Sequence, residues 1–385
     1  MLLTIIIFVL VLSLLVFVHE LGHFLTARFF GVKTEEFGMG LPPRAIGLQK
    51  FNNKWRWISG RQEIGPTEPM VYSLNWIPVG GFVKIKGENG EAAGDSDSFG
   101  HQKIWQRAVI LVAGVTMNVI LCILLLSIGF MAGMPTAVDD ASANKFISEP
   151  QVQVAEVLDG YPAKSAGVAV GDIILAVDNT SIKSGIELKN YFATKENQSV
   201  SVGIKRGGAE LVKNIVIVKK NNIVGMGVAI ADVGIARYPW YLALLEGAKA
   251  TWFWFLVIIS AAWGLIGQLF GGAKTGLEVS GPVGIAVLTG QAAKLGWIYV
   301  LQFTALLSLN LAIINILPFP ALDGGRILFL GIEKIRGKAI DSRRENFWNN
   351  LGFTLLMLLI MVITFRDLFK YGGKILSVLG RAVGL

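Results

Sequence analysis

His19-Glu20-Leu21-Gly22-His23 follows an apolar run, Met1 to Val18, whose only polar side chains are Thr4 and Ser13. On a helix, residues four apart share a face, so both imidazoles can reach one metal ion. Glu20 lies beside them and can act as general base toward an attacking water, which is the pattern of a zinc hydrolase. Ionisable residues inside a membrane segment are costly and usually functional. The reading is therefore a peptidase that cuts within or beside the bilayer. A secretory leader is the competing reading of an apolar N-terminus. This run lacks a basic n-region and leads into His-Glu rather than a small-residue cleavage site.

Of the 385 residues, 53% are hydrophobic. With a mean hydropathy of +0.57, this excludes an ordinary soluble protein. Net charge is +8. The basic residues cluster beside hydrophobic segments, so the charge reads as loops against an anionic membrane surface, and no nucleic-acid partner is expected. Cys122 is the one cysteine, which excludes an internal disulfide and a cysteine-based metal site.

About 20 apolar residues suffice to span a bilayer. Leu2 to Phe30, Ile104 to Met131, Ile298 to Leu317 and Leu351 to Phe365 read as spans. The loop holding Lys33, Arg44, Lys50, Lys54, Arg56, Lys84 and Lys86, and the loop holding Arg326, Lys334, Arg336, Lys338, Arg343 and Arg344, are basic. The positive-inside rule places both in the cytoplasm. Residues 241–270 are apolar enough to span, but Glu246, Lys249 and Gln268 interrupt them, and the expectation is an interfacial or re-entrant helix pair.

The first basic loop alternates like β-structure: 45–49 and 54–58 flank an Asn52-Asn53 turn, and 72–76 and 81–86 flank Pro78 and Gly80. Such a sheet could dip toward the site and offer its edge, around Gly80, Gly81 and Phe82, to an extended substrate. Residues 150–220 turn to soluble α/β character. Their stretch Gly160-Tyr161-Pro162-Ala163 through Gly171-Asp172-Ile173-Ile174 resembles a PDZ domain of the bacterial protease type, which implies binding of peptide ends.

Two histidines leave a tetrahedral zinc short of one protein ligand. His101, the third and last histidine, sits in a polar loop and reads as solvated. Asp323, in Asn315-Ile316-Leu317-Pro318-Phe319-Pro320-Ala321-Leu322-Asp323-Gly324-Gly325, can project from a helix break made by the two prolines. A plain helix N-cap is its other reading, equally weighted on the residues alone. Topology favours the ligand. The first span descends to the histidines, the second ascends, and the span ending at Leu317 descends again to the same depth.

These motifs together resemble the site-2 protease family of intramembrane zinc metalloproteases, of the bacterial regulator-of-sigma-E protease type. They are HExGH in the first span, NxxPxPxLDGG closing a later one, an intervening PDZ-like segment and Gly80-Gly81-Phe82-Val83-Lys84-Ile85-Lys86-Gly87-Glu88. The resemblance covers essentially the whole chain. It implies Zn2+ held by His19, His23 and Asp323, Glu20 as catalytic base, Asn315 and Pro318 near substrate, and a re-entrant β-loop at about 70–88. Ser280-Gly281-Pro282-Val283-Gly284 resembles the family's SGPxG motif. There are two departures. Many members carry two PDZ domains where this chain has room for one. The family's AGPxxN reads here Ala113-Gly114-Val115-Thr116-Met117-Asn118, without the proline. A buried Asn in a span usually bonds a neighbouring helix.

The expected fold is an α-helical polytopic membrane protein with about four transmembrane helices, a membrane-associated β-sheet loop and one inserted α/β PDZ-like domain. The domains are a membrane part at 1–133, the PDZ-like domain at 148–222 and a second membrane part at 238–385. The expected activity is that of a zinc metalloendopeptidase performing regulated intramembrane proteolysis. Its substrates are single-span membrane proteins, such as anti-sigma factors or signal-peptide remnants, already cut on their outer side. The expected location is the bacterial inner membrane, multi-pass, with the active site near the cytoplasmic side, the PDZ-like domain outside and the lipid bilayer as partner. The alternatives are a membrane-anchored zincin with a soluble site and a downstream Glu ligand, and a non-catalytic PDZ membrane scaffold.

Overall fold

The computed structural model of the protein describes residues 2–60, 62, 68–90, 94–138, 145–148, 150–207, 209–220, 223–271 and 280–383. They fall into two compact units, Met1–Leu126 with Gly247–Leu385, and Ser127–Glu246.

The first unit opens with α1 (Leu2–Phe29), which carries the HExxH box in its last third. It stops at Gly31, whose φ of +76° suits a residue without a Cβ, and the Val32 N–H reaches back to Ala27 O at 2.9 Å. A three-stranded antiparallel sheet follows, made of β1 (Thr34–Phe51), β2 (Lys54–Ser59) and β3 (Val71–Ile85) in the order β2-β1-β3. The β1–β2 turn at Asn52 and Asn53 has φ values of 46° and 62°, as a two-residue hairpin of the right twist requires.

Both long strands double back. Residues 36–39 of β1 pair with 71–74 and also with 81–84 of β3, so this short run lies inside the sheet and 81–85 form its edge. The 36–39 run was not expected as a strand, because its glutamates and glycines hide the alternation. The sheet's buried side is mixed, with Ile58 and Val71 at 1% and 0% exposed among polar groups. One face buries polar groups: Gln49 is 0% exposed and accepts from Arg56 Nε at 2.7 Å, and Arg44 Nε donates to Glu36 at 2.9 Å. The other face exposes Ile46, Trp55, Tyr72 and Leu74, with Trp57 and Trp76 at 71% and 72%.

Helix α2 (Ile104–Ala132) leads into the second unit. This contains β4 (Met134–Ala137), β5 (Gln151–Val157), α3 (Pro162–Ser165), β6 (Ile173–Val177), β7 (Thr180–Ser181), α4 (Gly185–Ala193), β8 (Ser199–Arg206), β9 (Ala209–Val216), β10 (Val218–Lys220), β11 (Ile223–Gly225) and β12 (Val228–Ala236). The main sheet runs β4-β12-β5-β6-β8-β9, with β7 on β6. It covers a core that includes Val152, Ile174, Leu188, Val202, Ile204 and Ile215. Ser184 caps α4 by accepting the Glu187 N–H at 3.2 Å. The buried Asp172 carboxylate takes two hydrogen bonds from Arg206, each 2.6 Å, and the Ala169 N–H. Residues 221 and 222, the expected end of this domain, lie outside the described residues; its sheet takes in β4 and β12 on either side of 148–222.

The chain continues as α5 (Trp240–Gly271), α6 (Pro282–Leu295), α7 (Trp297–Ile316), α8 (Asp323–Arg336) and α9 (Ser342–Val383). Among the described residues five helices are long and apolar enough to cross a membrane: α1, α2, Trp240–Leu265 of α5, α7 and Ser342–Lys370 of α9. The helix pair expected at 241–270 is instead one helix. Glu246, Lys249 and Gln268 are good helix formers, and no proline interrupts α5. Charge alone does not break a backbone ladder. Thr251 of α5 sits against Cys122 of α2, Oγ1 to Sγ 3.5 Å.

Helices α1 and α7 run in the same direction. Leu10 and Leu14 of α1 line one apolar groove with Val300 and Thr304 of α7 and Leu125 of α2. Near the other end of α1, His23 meets Ile110 of α2, so α2 runs oppositely.

Candidate active site

α1 places His19 and His23 one turn apart, both buried, with ring centroids 4.8 Å apart and nearly perpendicular planes. Asp323 arrives from the start of α8. After α7 the chain turns through 317–322, and Gly324 and Gly325 pack on that turn. A Cβ on Gly324 would lie 2.2 Å from Ile316 O, and one on Gly325 2.3 Å from Phe319 O, so only glycine lets α8 start this close to the end of α7. Leu322, not Asp323, holds the N-cap position, and no side chain caps the helix. The N-cap reading of Asp323 therefore gives way: its carboxylate is directed elsewhere. α9 supports the turn, with Asn349 Oδ1 accepting the Ala321 N–H at 3.2 Å and Gly352 against Pro320 O.

The three side chains converge. His19 Nε2 and His23 Nε2 are 3.2 Å apart, and Asp323 Oδ2 is 3.1 Å from the first and 3.4 Å from the second. Tetrahedral zinc with ligand bonds of about 2.0–2.2 Å needs donor atoms about 3.3–3.5 Å apart. The observed triangle is close to one face of such a tetrahedron. Asp323 Oδ2 is also buried without a hydrogen-bond partner, although it lies this close to two ring nitrogens. A buried carboxylate oxygen without a donor is costly, and a cation among the three atoms removes that cost. The residues present fit a metal ion of this kind, and these three form the candidate ligand cluster among the described residues.

Glu20 Oε2 accepts the Val83 N–H at 3.1 Å, on the outer edge of the sheet. The Asn315 side-chain amide lies 3.4 Å from His19 Nε2. Gly80 and Gly81 lie against Val16 and Phe17, one turn before His19, and Ser13 Oγ donates to Pro78 O at 3.2 Å, so β3 runs alongside α1. Phe82 leans over Gly38. Pro318 is exposed in the turn after α7, and no described contact joins it to the ligand cluster. His101 is exposed in a short turn at Phe99–His101.

The sequence reading did not single out several groups. The Ile110 carbonyl lies 2.8 Å from His23 Nδ1, Val83 offers its N–H to Glu20, and Gly22 and Gly114 set the approach of α2 to α1. A Cβ on Gly22 would lie 2.4 Å from Ala113 O. One on Gly114 would lie 2.4 Å from His23 Nε2 and 2.8 Å from His19 Cε1. Small residues facing each other in two apolar helices were the available signal. At the far side, Arg107 grips Glu333 of α8 at 3.1 and 3.0 Å, and Arg326 of α8 pairs with Glu88 beyond β3. Lys86 lies between Asp95 and Asp97, at 2.7 and 2.6 Å; the Asp95 contact, then that to Asp97, raises the pKa of its ammonium.

The sequence matches the model of peptidase family M50 over residues 7–59 and 62–359. It is 33% identical to a Clostridium perfringens protein named as a candidate zinc metalloprotease, covering 92% of this chain and 96% of that one. It is 28% identical to the regulator of sigma-W protease RasP of Bacillus subtilis (95% of this chain, 98% of that one) and 27% identical to the zinc metalloprotease RasP of Geobacillus kaustophilus (96% and 98%). A PDZ domain of an SdrC-like protein from Listeria monocytogenes matches 21% of this chain and 86% of its own at 26% sequence identity, with a TM-score of 0.20 that fixes no fold.

Filling the α1–α2 contact should disperse the triangle. Gly114→Val should lower the metal content of the purified protein several-fold by elemental mass spectrometry. Thr116→Val, on the exposed face two residues on, should leave it unchanged.

Proposed function

The chain belongs to peptidase family M50, and on that premise we propose that it is a membrane zinc metalloendopeptidase that cuts single-span membrane proteins after a first cut on their outer side. Anti-sigma factors and signal-peptide remnants are the expected substrates. The observation that carries this is the triangle of His19, His23 and Asp323 with Glu20 beside it, formed where α1 meets the start of α8; α1 and α7, the helix before α8, are apolar enough to span a membrane. The relatives named as zinc metalloproteases support zinc as the metal.

Zinc held by His19, His23 and Asp323 would polarise the scissile carbonyl and acidify the attacking water. The Glu20 carboxylate takes that water's proton and passes it to the leaving nitrogen. Asn315, whose amide lies 3.4 Å from His19 Nε2, would donate its N–H to the carbonyl oxygen as charge develops there. Gly80, Gly81 and Phe82 open the edge strand of the sheet, whose Val83 N–H is taken by Glu20. A substrate unwound from its helix can pair along this edge and recover backbone hydrogen bonds that lipid does not supply. Pro318, exposed at the mouth of the turn, is proposed to touch the substrate rather than the metal.

The direction of the helices supports one orientation. α1 and α7 run the same way and α2 the opposite way, so the stretch from α2 through α5 and α6 to α7 makes no net crossing. The active site then lies toward the cytoplasmic face of the bacterial inner membrane, among the basic loops. The unit at Ser127–Glu246 lies outside. Read as one PDZ-like domain, it would bind peptide ends and hold back substrates whose outer domain is intact. The exposed face of the sheet places Trp55, Trp57, Tyr72 and Trp76 where lipid can cover them.

Glu20→Gln should keep one zinc per chain and abolish cleavage of a single-span reporter substrate; a cleaving variant would refute the role of Glu20. Asp323→Ala should lose zinc on gel filtration, whereas a zincin with a downstream Glu ligand would retain it. With Trp55 and Trp57 both changed to Phe, quenching of tryptophan fluorescence by brominated lipid should fall. Equal quenching before and after would place this face in water.

A further inference from the structure

The two histidines are held differently at their second nitrogens. His23 Nδ1 faces the Ile110 carbonyl at 2.8 Å, which can only accept, so its proton sits on Nδ1 and Nε2 keeps its lone pair for a metal. His19 Nδ1 has no carbonyl there. Its partner is the Asn118 side-chain amide, 3.3 Å away on α2. Asn118 is 0% exposed, and its Oδ1 is buried without a hydrogen-bond partner.

Both facts resolve in one arrangement. For His19 Nε2 to bind a metal, the ring proton must be on Nδ1, and that N–H needs an acceptor. Half a turn of the Asn118 amide about its last torsion brings Oδ1 to the Nδ1 proton, without moving the backbone. It gives the orphaned oxygen a donor and the ring N–H an acceptor together, and moves the amide nitrogen into the oxygen's former place. The backbone of Asn118 is fixed independently, because Ser308 Oγ of α7 donates to its carbonyl at 2.8 Å. α7 is the helix that leads to Asp323. Asn118 thus stands between α1, which carries His19 and His23, and α7, which leads to Asp323, with its carbonyl on α7 and its side chain on α1.

The geometry points to Asn118 as the positioning residue that fixes His19 in its metal-binding tautomer by accepting the Nδ1 proton. This rests on the metal reading of His19, His23 and Asp323. His23 is preset by main chain and cannot be tuned by substitution, whereas His19 depends on one side chain. Outer-shell partners of this kind are worth roughly 10- to 100-fold in metal affinity.

The test is zinc competition against a chelator, with the full chain in detergent, for wild type, Asn118→Leu, Asn118→Asp and Asp323→Ala. Asn118→Leu fills the space without an acceptor and should weaken zinc roughly 10- to 100-fold. Asn118→Asp restores an acceptor and should hold zinc within a few-fold of wild type. Thermal unfolding followed by size-exclusion chromatography checks that each variant is folded. In protein labelled with 15N-histidine, which carries three imidazoles, zinc-loaded wild type should show the His19 proton on Nδ1. That readout needs no variant. Wild-type affinity in folded Asn118→Leu, equal losses in the Leu and Asp variants, or a His19 proton on Nε2 in the zinc-loaded protein would each overturn the proposal. If Asp323→Ala also keeps zinc, the metal reading itself fails; if it alone loses zinc, that reading stands and only the role of Asn118 falls.

Discussion

The close approach of α1 and α2 governs the rest of the site. Between apolar helices in lipid there is little hydrophobic force, and contact depends on how near the backbones can come. Gly22 against the Ala113 carbonyl, and Gly114 against both imidazoles, bring α2 to the rings themselves. At that distance the Ile110 carbonyl and the Asn118 amide can reach the second nitrogens of the histidines. A methyl group at either glycine would separate the helices by more than a hydrogen bond can follow. The glycine inside the HExxH box is thus as much a part of the site as the histidines on either side of it.

The same economy of space recurs where Asp323 enters. Gly324, Gly325 and Gly352 each meet a backbone carbonyl at a distance no side chain tolerates. The turn after α7 is pressed between α8 and α9, and Asn349 fixes its left-handed residue Ala321. A carboxylate on a loose loop would find water or a lysine. Here it is held beside two imidazoles from another helix, and its own oxygen has no other partner. Rigid placement of donors, rather than their number, separates a metal site from a cluster of polar residues.

Much of this was legible in the residues, and the exceptions have physical reasons. The HExxH box declares itself because a helix of period 3.6 fixes the relation of its two histidines. The spans at 104–131 and 298–317 differ from α2 and α7 by about a residue, since lipid demands long apolar runs. Asp323 stayed ambiguous because an acidic residue before two glycines suits a helix start and a ligand equally. The N-cap at Leu322 argues against the helix-start reading, and the carboxylate lies against His19 and His23. The strand at 36–39 escaped notice because Glu36 and Gly38 face a sheet interior that is partly polar, so the usual alternation carries no signal. Glu246 and Lys249 read as interruptions of 241–270, yet α5 runs through them as one helix. Charges forbid deep burial in lipid, but they do not interrupt a helix.

That last distinction bears on how the chain crosses the membrane. Length and composition admit α5 as a crossing. Yet a single full crossing between α2 and α7 would send α7 the wrong way and carry Asp323 to the face opposite His19. Asp323 lies 3.1 Å from His19, and α7 runs parallel to α1. α5 leans on α2 at Thr251 and Cys122; under the proposed orientation, the α5–α6 segment returns the chain to the side it left. The convergence of His19, His23 and Asp323 thus bears on the path of some fifty residues outside the cluster, information that hydropathy alone cannot supply.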